Sequence, residues 1–129
     1  MCTVSKVFIS ISAFVLFSTE LASSKLPDGF IEERIVTGLD PTAMRIAPDG
    51  RLFITEKNGR VRIVENGELL EDPFITFEVD NFNERGLGGI EFHPDFEENG
   101  YVYFYYTHPS ENRNVIVRVI ANGNFAIPG

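Results

Sequence analysis

The densest set of chemically capable side chains is Asp80, Asn81, Asn83, Glu84 and Arg85, carried on residues 80–89 (DNFNERGLGG). Gly86, Gly88 and Gly89 in the same stretch permit positive φ and close backbone approach, which suits a loop that faces a ligand; the alternative is a solvated connection between sheet elements. Two sharper chemistries fail on spacing. An EF-hand calcium loop started at Asp80 puts Phe82 at its third ligand position and no glycine at its sixth. A dinucleotide fingerprint on Gly86 and Gly88 needs a glycine where Glu91 stands, and Phe92-His93-Pro94 stops the helix that would follow.

The remaining reactive groups read as structural. His93 and His108 each precede a proline in a turn context, and the sequence pairs neither with the partner that orients a general base. Ser110 is the only serine after Ser24 and lacks Gly-x-Ser-x-Gly surroundings, which closes a serine hydrolase reading. Cys2 is the sole cysteine and lies in the extreme N-terminal segment, so the rest of the chain has no thiol nucleophile, disulfide or cysteine-ligated metal. The carboxylate pairs Glu32-Glu33 and Glu97-Glu98 are adjacent in sequence; on strands they point to opposite faces, as solvated charge does. Tyr101, Tyr103, Phe104, Tyr105 and Tyr106 allow a stacking platform, but their period of two favours packing on a buried strand.

The elements that would hold these groups are strands. From Leu26 onward, runs of Val, Ile, Phe and Tyr alternate with Gly, Pro, Asn and Asp clusters, and no helical apolar pattern lasts three turns. Strands are expected over residues 29–36, 43–47, 51–56, 60–64, within 69–79, and over 90–92, 101–107 and 114–120, with a loop over 80–89. Asn58-Gly59 between alternating runs predicts the clearest hairpin. The order of signals recurs: Pro48-Asp49 to Pro94-Asp95 gives an offset of 46, and Thr55 to Thr107 gives 52, with an insertion around residues 96–99. Such a period predicts β-propeller blades of four strands, with a β-sandwich as the competing architecture. The final run, ANGNFAIPG, reads as a turn and the start of a further strand, and two blades alone leave unpaired edges, so the expectation is a fragment of a longer chain.

Composition narrows the classes further. With 129 residues, 43% hydrophobic and 23% charged, the chain suits one small globular domain. Its 11 Lys and Arg against 19 Asp and Glu give a net charge of −8, the wrong sign for a phosphate-tracking nucleic-acid binder. Lys6, the uncharged apolar run over residues 7–17 and Ala22-Ser23-Ser24 read as a secretory signal peptide over 1–24, cleaved before Lys25. That run is too short to cross a hydrocarbon core of about 30 Å, so no stable membrane insertion is expected after cleavage. Residues 25–129 would then be the mature domain, secreted or periplasmic, and no Asn-x-Ser/Thr acceptor marks it for glycosylation.

A series of short motifs resembles the glucose/sorbosone dehydrogenase family. They are Leu26-Pro-Asp-Gly-Phe30, Gly38-Leu39 with Pro41-Thr42-Ala43-Met44, Ala47-Pro48-Asp49-Gly50-Arg51-Leu52-Phe53, Glu56 with Asn58-Gly59-Arg60-Val61, and Pro73-Phe74. The most specific run is E-R-G-L-x-G-I-x-F-H-P-D-F from Glu84 to Phe96, followed by Asn99-Gly100-Tyr101. The family comprises soluble quinoprotein glucose dehydrogenases, aldose sugar dehydrogenases and Hedgehog-interacting-protein-like proteins. The resemblance implies an all-β fold, with this chain supplying about two blades of an incomplete six-bladed propeller. It also implies pyrroloquinoline quinone (PQQ) over the channel with calcium beside it, and oxidation of an aldose to its lactone.

On the same resemblance, the catalytic base, its carboxylate partner and the quinone-holding Lys and Arg come from blades beyond Gly129, and neither His93 nor His108 is the base. No catalytic, cofactor-binding or metal-binding residue is therefore assigned to this chain. The one position carried over is Glu84, as a substrate-binding residue: glucose-oxidising members have a glutamine there, and a Glu changes the charge and hydrogen bonding offered to the sugar. Gly88 stands where the family usually has leucine. The expected function is that of the N-terminal part of a secreted PQQ-dependent sugar dehydrogenase, inactive alone, with a sugar as the parent's substrate and no nucleic acid as partner. The rivals are a non-catalytic, Hedgehog-interacting-type propeller that binds a protein, and an unrelated carbohydrate-binding β-sandwich.

Overall fold

The computed structural model describes residues 26–128, so the proposed signal peptide over 1–24 lies outside the described residues. The described residues fall into two units, 26–33 and 34–128. In the first, the described part holds a turn in which the Phe30 N–H donates to the Pro27 carbonyl at 3.2 Å. Residues 29–36, expected as a strand, form none. Alternation makes a strand only where a neighbouring edge takes its hydrogen bonds, and Phe30, Ile31 and Ile35 remain exposed.

The second unit contains two antiparallel sheets. Sheet 1 comprises β1 (Pro41–Ile46), β2 (Leu52–Glu56), β3 (Arg60–Glu65), β4 (Glu68–Leu69) and β5 (Ile75–Thr76). β1, β2 and β3 pair in sequence, while β4 and β5 both pair with β3 as two pieces of one outer strand. The extended stretch expected over 69–79 is thus broken, because Pro73 cannot donate to a ladder and the chain turns there to insert Phe74 into the core. Sheet 2 comprises β6 (Leu87–Phe92), β7 (Tyr101–Thr107), β8 (Asn114–Asn122) and β9 (Phe125–Pro128), paired in that order, with the short helix α1 (Phe96–Asn99) between β6 and β7. The turns follow their chemistry: Asn66 (φ 53°) and Gly67 (φ 81°) both take the positive φ that a two-residue β3–β4 turn requires.

The two sheets are successive copies of one unit, two blades of a β-propeller. Ile46 pairs with Leu52 in sheet 1 as Phe92 pairs with Val102 in sheet 2, and each pair of strands has a register shift at the same place, Pro41/Ala43 and Leu87/Gly89. The offset is therefore 46 from β1 to β6 and 50 from β2 to β7, and the extra residues are those of α1. The Thr55 to Thr107 alignment is corrected by this register: Thr55 corresponds to Tyr105. The bulge also explains why the strand begins inside the expected 80–89 loop. Gly88 and Gly89 continue β6 under the Tyr105 side chain, which lies 3.5 Å from where a Cβ would stand on either.

The core lies between the sheets. Phe53, Val61 and Ile63 of sheet 1 face Leu87, Phe92, Val102 and Phe104 of sheet 2, all buried, with Phe74 set edge-on to Phe53 at 5.0 Å. The aromatic run of β7 is divided by this packing: Phe104 enters the core, and Tyr106 stacks on Phe77 at 5.2 Å. Tyr101, Tyr103 and Tyr105 alternate to the outer face, where the Arg118 guanidinium lies 4.1 Å above Tyr101.

Candidate functional site

Antiparallel pairing puts the starts of β1 and β6 at the same end of the molecule as the β2–β3 turn and the β7–β8 connection. An open cavity of about 440 Å³ forms there, with Thr42, Lys57, Glu84, Gly88, Tyr105 and Asn112 among its lining residues. Its walls are tied together by backbone contacts. The Leu87 N–H donates to the Lys57 carbonyl at 3.3 Å, the Thr107 N–H to the Gly86 carbonyl at 3.0 Å, and the Asp80 N–H to the Thr107 carbonyl at 3.1 Å. Gly86 has φ 136°, and a Cβ on it would stand 2.5 Å from the Lys57 carbonyl oxygen, so only glycine lets the 80–86 loop lie this close to the β2–β3 turn.

Thr42 and Glu56 brace the sheet-1 side. The Thr42 hydroxyl lies 2.6 Å from the Leu87 carbonyl, to which it donates, and 2.9 Å from the Thr55 hydroxyl, joining the two sheets. Glu56 is 1% exposed. Its Oε1 accepts from the Asp40 N–H at 3.3 Å and from Arg60 Nη2 at 3.2 Å, while Arg60 Nε stands 3.0 Å from Oε2 without hydrogen-bonding alignment.

The polar loop separates into committed and free groups. Asp80 Oδ1 accepts from the Phe82 N–H at 3.1 Å and Oδ2 from Arg85 Nη1 at 2.5 Å. The Phe82 amide first, and Arg85 second, hold the Asp80 carboxyl below its ordinary value of 3.8. Asn83 takes φ 53°, turning the loop. Glu84, by contrast, is exposed at the cavity wall, and no hydrogen bond or ion pair joins its carboxylate to the described residues. The same holds for the Lys57 ammonium and the Asn112 amide. Arg113 is bound to Glu111, which lowers the Glu111 carboxyl and raises the guanidinium above its ordinary value.

The cavity can therefore present a carboxylate, an ammonium and an amide to hydroxyl groups; among the described residues it holds no acid–base pair. His93 Nδ1 accepts from the Asp95 N–H at 3.0 Å and stands 2.9 Å from Asn99 Nδ2, and His108 Nδ1 accepts from the Ser110 and Glu111 amides at 3.3 and 3.2 Å. Each histidine organises the turn that its proline begins. Glu97 and Glu98 lie exposed on α1, within the insertion expected around residues 96–99. Among the described residues no three His, Cys, Asp or Glu gather to hold a metal. A polycarboxylate quinone such as PQQ demands several uncommitted cations; of those lining the cavity, Arg85 and Arg113 are neutralised by Asp80 and Glu111, leaving Lys57. The described residues do not by themselves fit that cofactor.

The sequence singles out Glu84 and neither Lys57 nor Asn112, which lie on two turns far apart in the chain and line the same cavity. The signal available was the repeat: residues 57 and 107–114 follow equivalent strands and so reach the same end.

The profile of the family described as Glucose / Sorbosone dehydrogenase matches residues 39–126. Human Hedgehog-interacting protein is 35% identical over 88 residues, covering 60% of this chain and 13% of that protein. Among solved structures, an oxidoreductase described as a glucose dehydrogenase from Thermus thermophilus superposes with a TM-score of 0.69 at 33% identity, covering 75% of this chain and 30% of that one. The PQQ-bound aldose sugar dehydrogenase of Streptomyces coelicolor gives 0.61 at 25% identity, covering 74% and 30%. The chain spans no more than 24% of the length of the curated relatives it matches.

Proposed function

Because the chain belongs to the glucose/sorbosone dehydrogenase family, we propose that residues 25–129 serve as the first two blades of a secreted or periplasmic PQQ-dependent sugar dehydrogenase. The observation that carries this reading is the cavity at the shared end of the two blades, with Glu84, Lys57 and Asn112 uncommitted around it. The PQQ-bound relative supports the cofactor for the family. Calcium, the base and the quinone-holding cations belong to other blades of the whole protein, and the two blades alone do not oxidise sugar. The reaction of the whole protein takes an aldose to its lactone, and the part of these blades is to bind the sugar. No helix among the described residues is long and apolar enough to cross a membrane.

Glu84 decides what the sugar must offer. An ionised carboxylate only accepts hydrogen bonds, whereas a glutamine both accepts and donates. Glu84 therefore favours a sugar that turns hydroxyl donors toward it, and Lys57 and Asn112 supply donors across the cavity. The test is titration of the ¹⁵N-labelled chain with aldoses, followed by amide shifts. Changes confined to residues 57, 84–88 and 112 are expected, reduced in Glu84→Ala. No response to any aldose, or the same response in Glu84→Ala, overturns the reading and favours the protein-binding propeller suggested by the Hedgehog-interacting relative.

A further inference from the structure

Four Asn-Gly pairs lie among the described residues, at 58–59, 66–67, 99–100 and 122–123. Asparagine before glycine is chemically labile, because with no Cβ on the following residue its backbone nitrogen can reach the Asn side-chain carbonyl carbon. At all but one of the pairs the fold opposes that approach. Asn58 Oδ1 accepts from the Arg60 N–H at 3.2 Å, and the Gly59 N–H donates to the Glu56 carbonyl at 3.0 Å. Asn99 Oδ1 accepts from the Tyr101 N–H at 2.8 Å, its Nδ2 stands 2.9 Å from His93 Nδ1, and the Gly100 N–H donates to the Phe96 carbonyl at 2.8 Å. The turn after Asn122 is fixed by Arg51, whose Nη1 donates to the Gly123 carbonyl at 2.6 Å and to Asn124 Oδ1 at 2.7 Å. Asp49 Oδ2 holds that guanidinium in place, accepting from Nε at 3.0 Å and from Nη2 at 2.6 Å.

Asn66 has no such hold. No hydrogen bond joins its side chain to the described residues, and no turn bond engages the Gly67 N–H. A Cβ on Gly67 would meet nothing within 4 Å, whereas Gly59 and Gly100 lie against the Phe77 and Ala121 carbonyl oxygens. The hairpin that closes here is also weak: β4 has two residues, and its end pair, Glu65 and Glu68, sets like charges opposite each other. Such a turn opens locally without the rest of the blade. We propose that Asn66 is a site of spontaneous modification by deamidation. The Gly67 nitrogen gives its proton to hydroxide and bonds to Asn66 Cγ, the Cγ–Nδ2 bond breaks, and ammonia leaves with a proton from water. Water then opens the cyclic imide to Asp or isoaspartate, with no change in oxidation state. The product adds a carboxylate between Glu65 and Glu68, which loosens the β3–β4 pairing further. The bonds that protect the other pairs lie within this chain, and Asn66 stands at a hairpin tip, so the order of reactivity does not rest on what packs against the outer sheet faces. It uses none of Glu84, Lys57 and Asn112, so it stands or falls independently of sugar binding.

The test is incubation of the full 129-residue chain in mildly alkaline buffer, with peptide mass mapping of Asp and isoaspartate at each Asn-Gly pair over time. Asn66 is expected to react at least about tenfold faster than Asn58, Asn99 or Asn122, since only its turn opens without breaking a side-chain or amide hold. In urea the rates at all the pairs should converge to within about threefold, because those holds are gone. Arg51→Met should bring Asn122 toward the Asn66 rate, while continued protection of Asn58 and Asn99 in the same sample shows that the fold is kept. Equal rates in the folded chain, another pair reacting first, or an Asn66 that reacts only in urea overturns the proposal. So does an Asn66 that leads by the same margin in urea, or an Asn122 unchanged in Arg51→Met, since the fold would then not set the order.

Discussion

Glu84 and Asp80 sit four residues apart on one loop and differ in their bonding: Asp80 holds the loop, whereas no hydrogen bond or ion pair joins Glu84 to the described residues. Replacing the exposed Glu84 with Gln should change stability by no more than about 0.5 kcal/mol, while altering which aldoses shift the amides at 84–88; urea unfolding beside the sugar titration checks both. Asp80 makes the hold on this loop depend on pH. Its folded value lies below 3.8, so the unfolded chain binds the proton more readily, and its contribution is present above that value and lost as pH falls through the folded one. Protection of the amides at residues 82–86, measured against their intrinsic exchange rates, is therefore expected to fall on acidification below about pH 4, and Asp80→Asn should remove that acid-dependent change. Glu84 and Arg85 were legible as polar loop residues. Which of them is free was not, because that depends on Asp80 turning back onto Phe82 and Arg85.

The elements of the site are held by two glycines at backbone crossings. Gly59 (φ 96°) would place a Cβ 2.1 Å from the Phe77 carbonyl oxygen, and Gly86 one 2.5 Å from that of Lys57. Gly86→Ala combines a disfavoured φ with a clash against backbone, and should cost about 2 kcal/mol or more, detectable as a lower urea midpoint, and should weaken any sugar response. The hairpin of β2 and β3 could be read from Asn58-Gly59, and the β7 strand from its alternation. The start of β6 could not, since Leu87-Gly88-Gly89 has the composition of a loop and becomes strand only under the Tyr105 ring. The missing strand over 29–36 is the converse: its pattern was right for a strand, but pattern alone supplies no hydrogen-bonding partner.

At the scale of the whole molecule, one core serves both sheets. Phe104→Ala removes a ring buried between them and should cost about 3–5 kcal/mol. Because Phe53 and Phe92 meet at 5.1 Å across the same boundary, probes placed in sheet 1 and sheet 2 should unfold in one coincident transition. The chain mixed with PQQ, calcium and glucose should give no quinone reduction, and turnover under those conditions would contradict the division of labour among blades proposed above. The sequence by itself determined the all-β class, the repeat of a blade unit and the polar glycine-rich loop with Glu84, because these rest on alternation, turn chemistry and local composition. Only the tertiary structure decided the register of that repeat, the offset of 50 that replaces 52, and the meeting of Lys57, Glu84 and Asn112 at one cavity. Those depend on which edges pair and which faces pack, and packing joins residues that no local pattern connects.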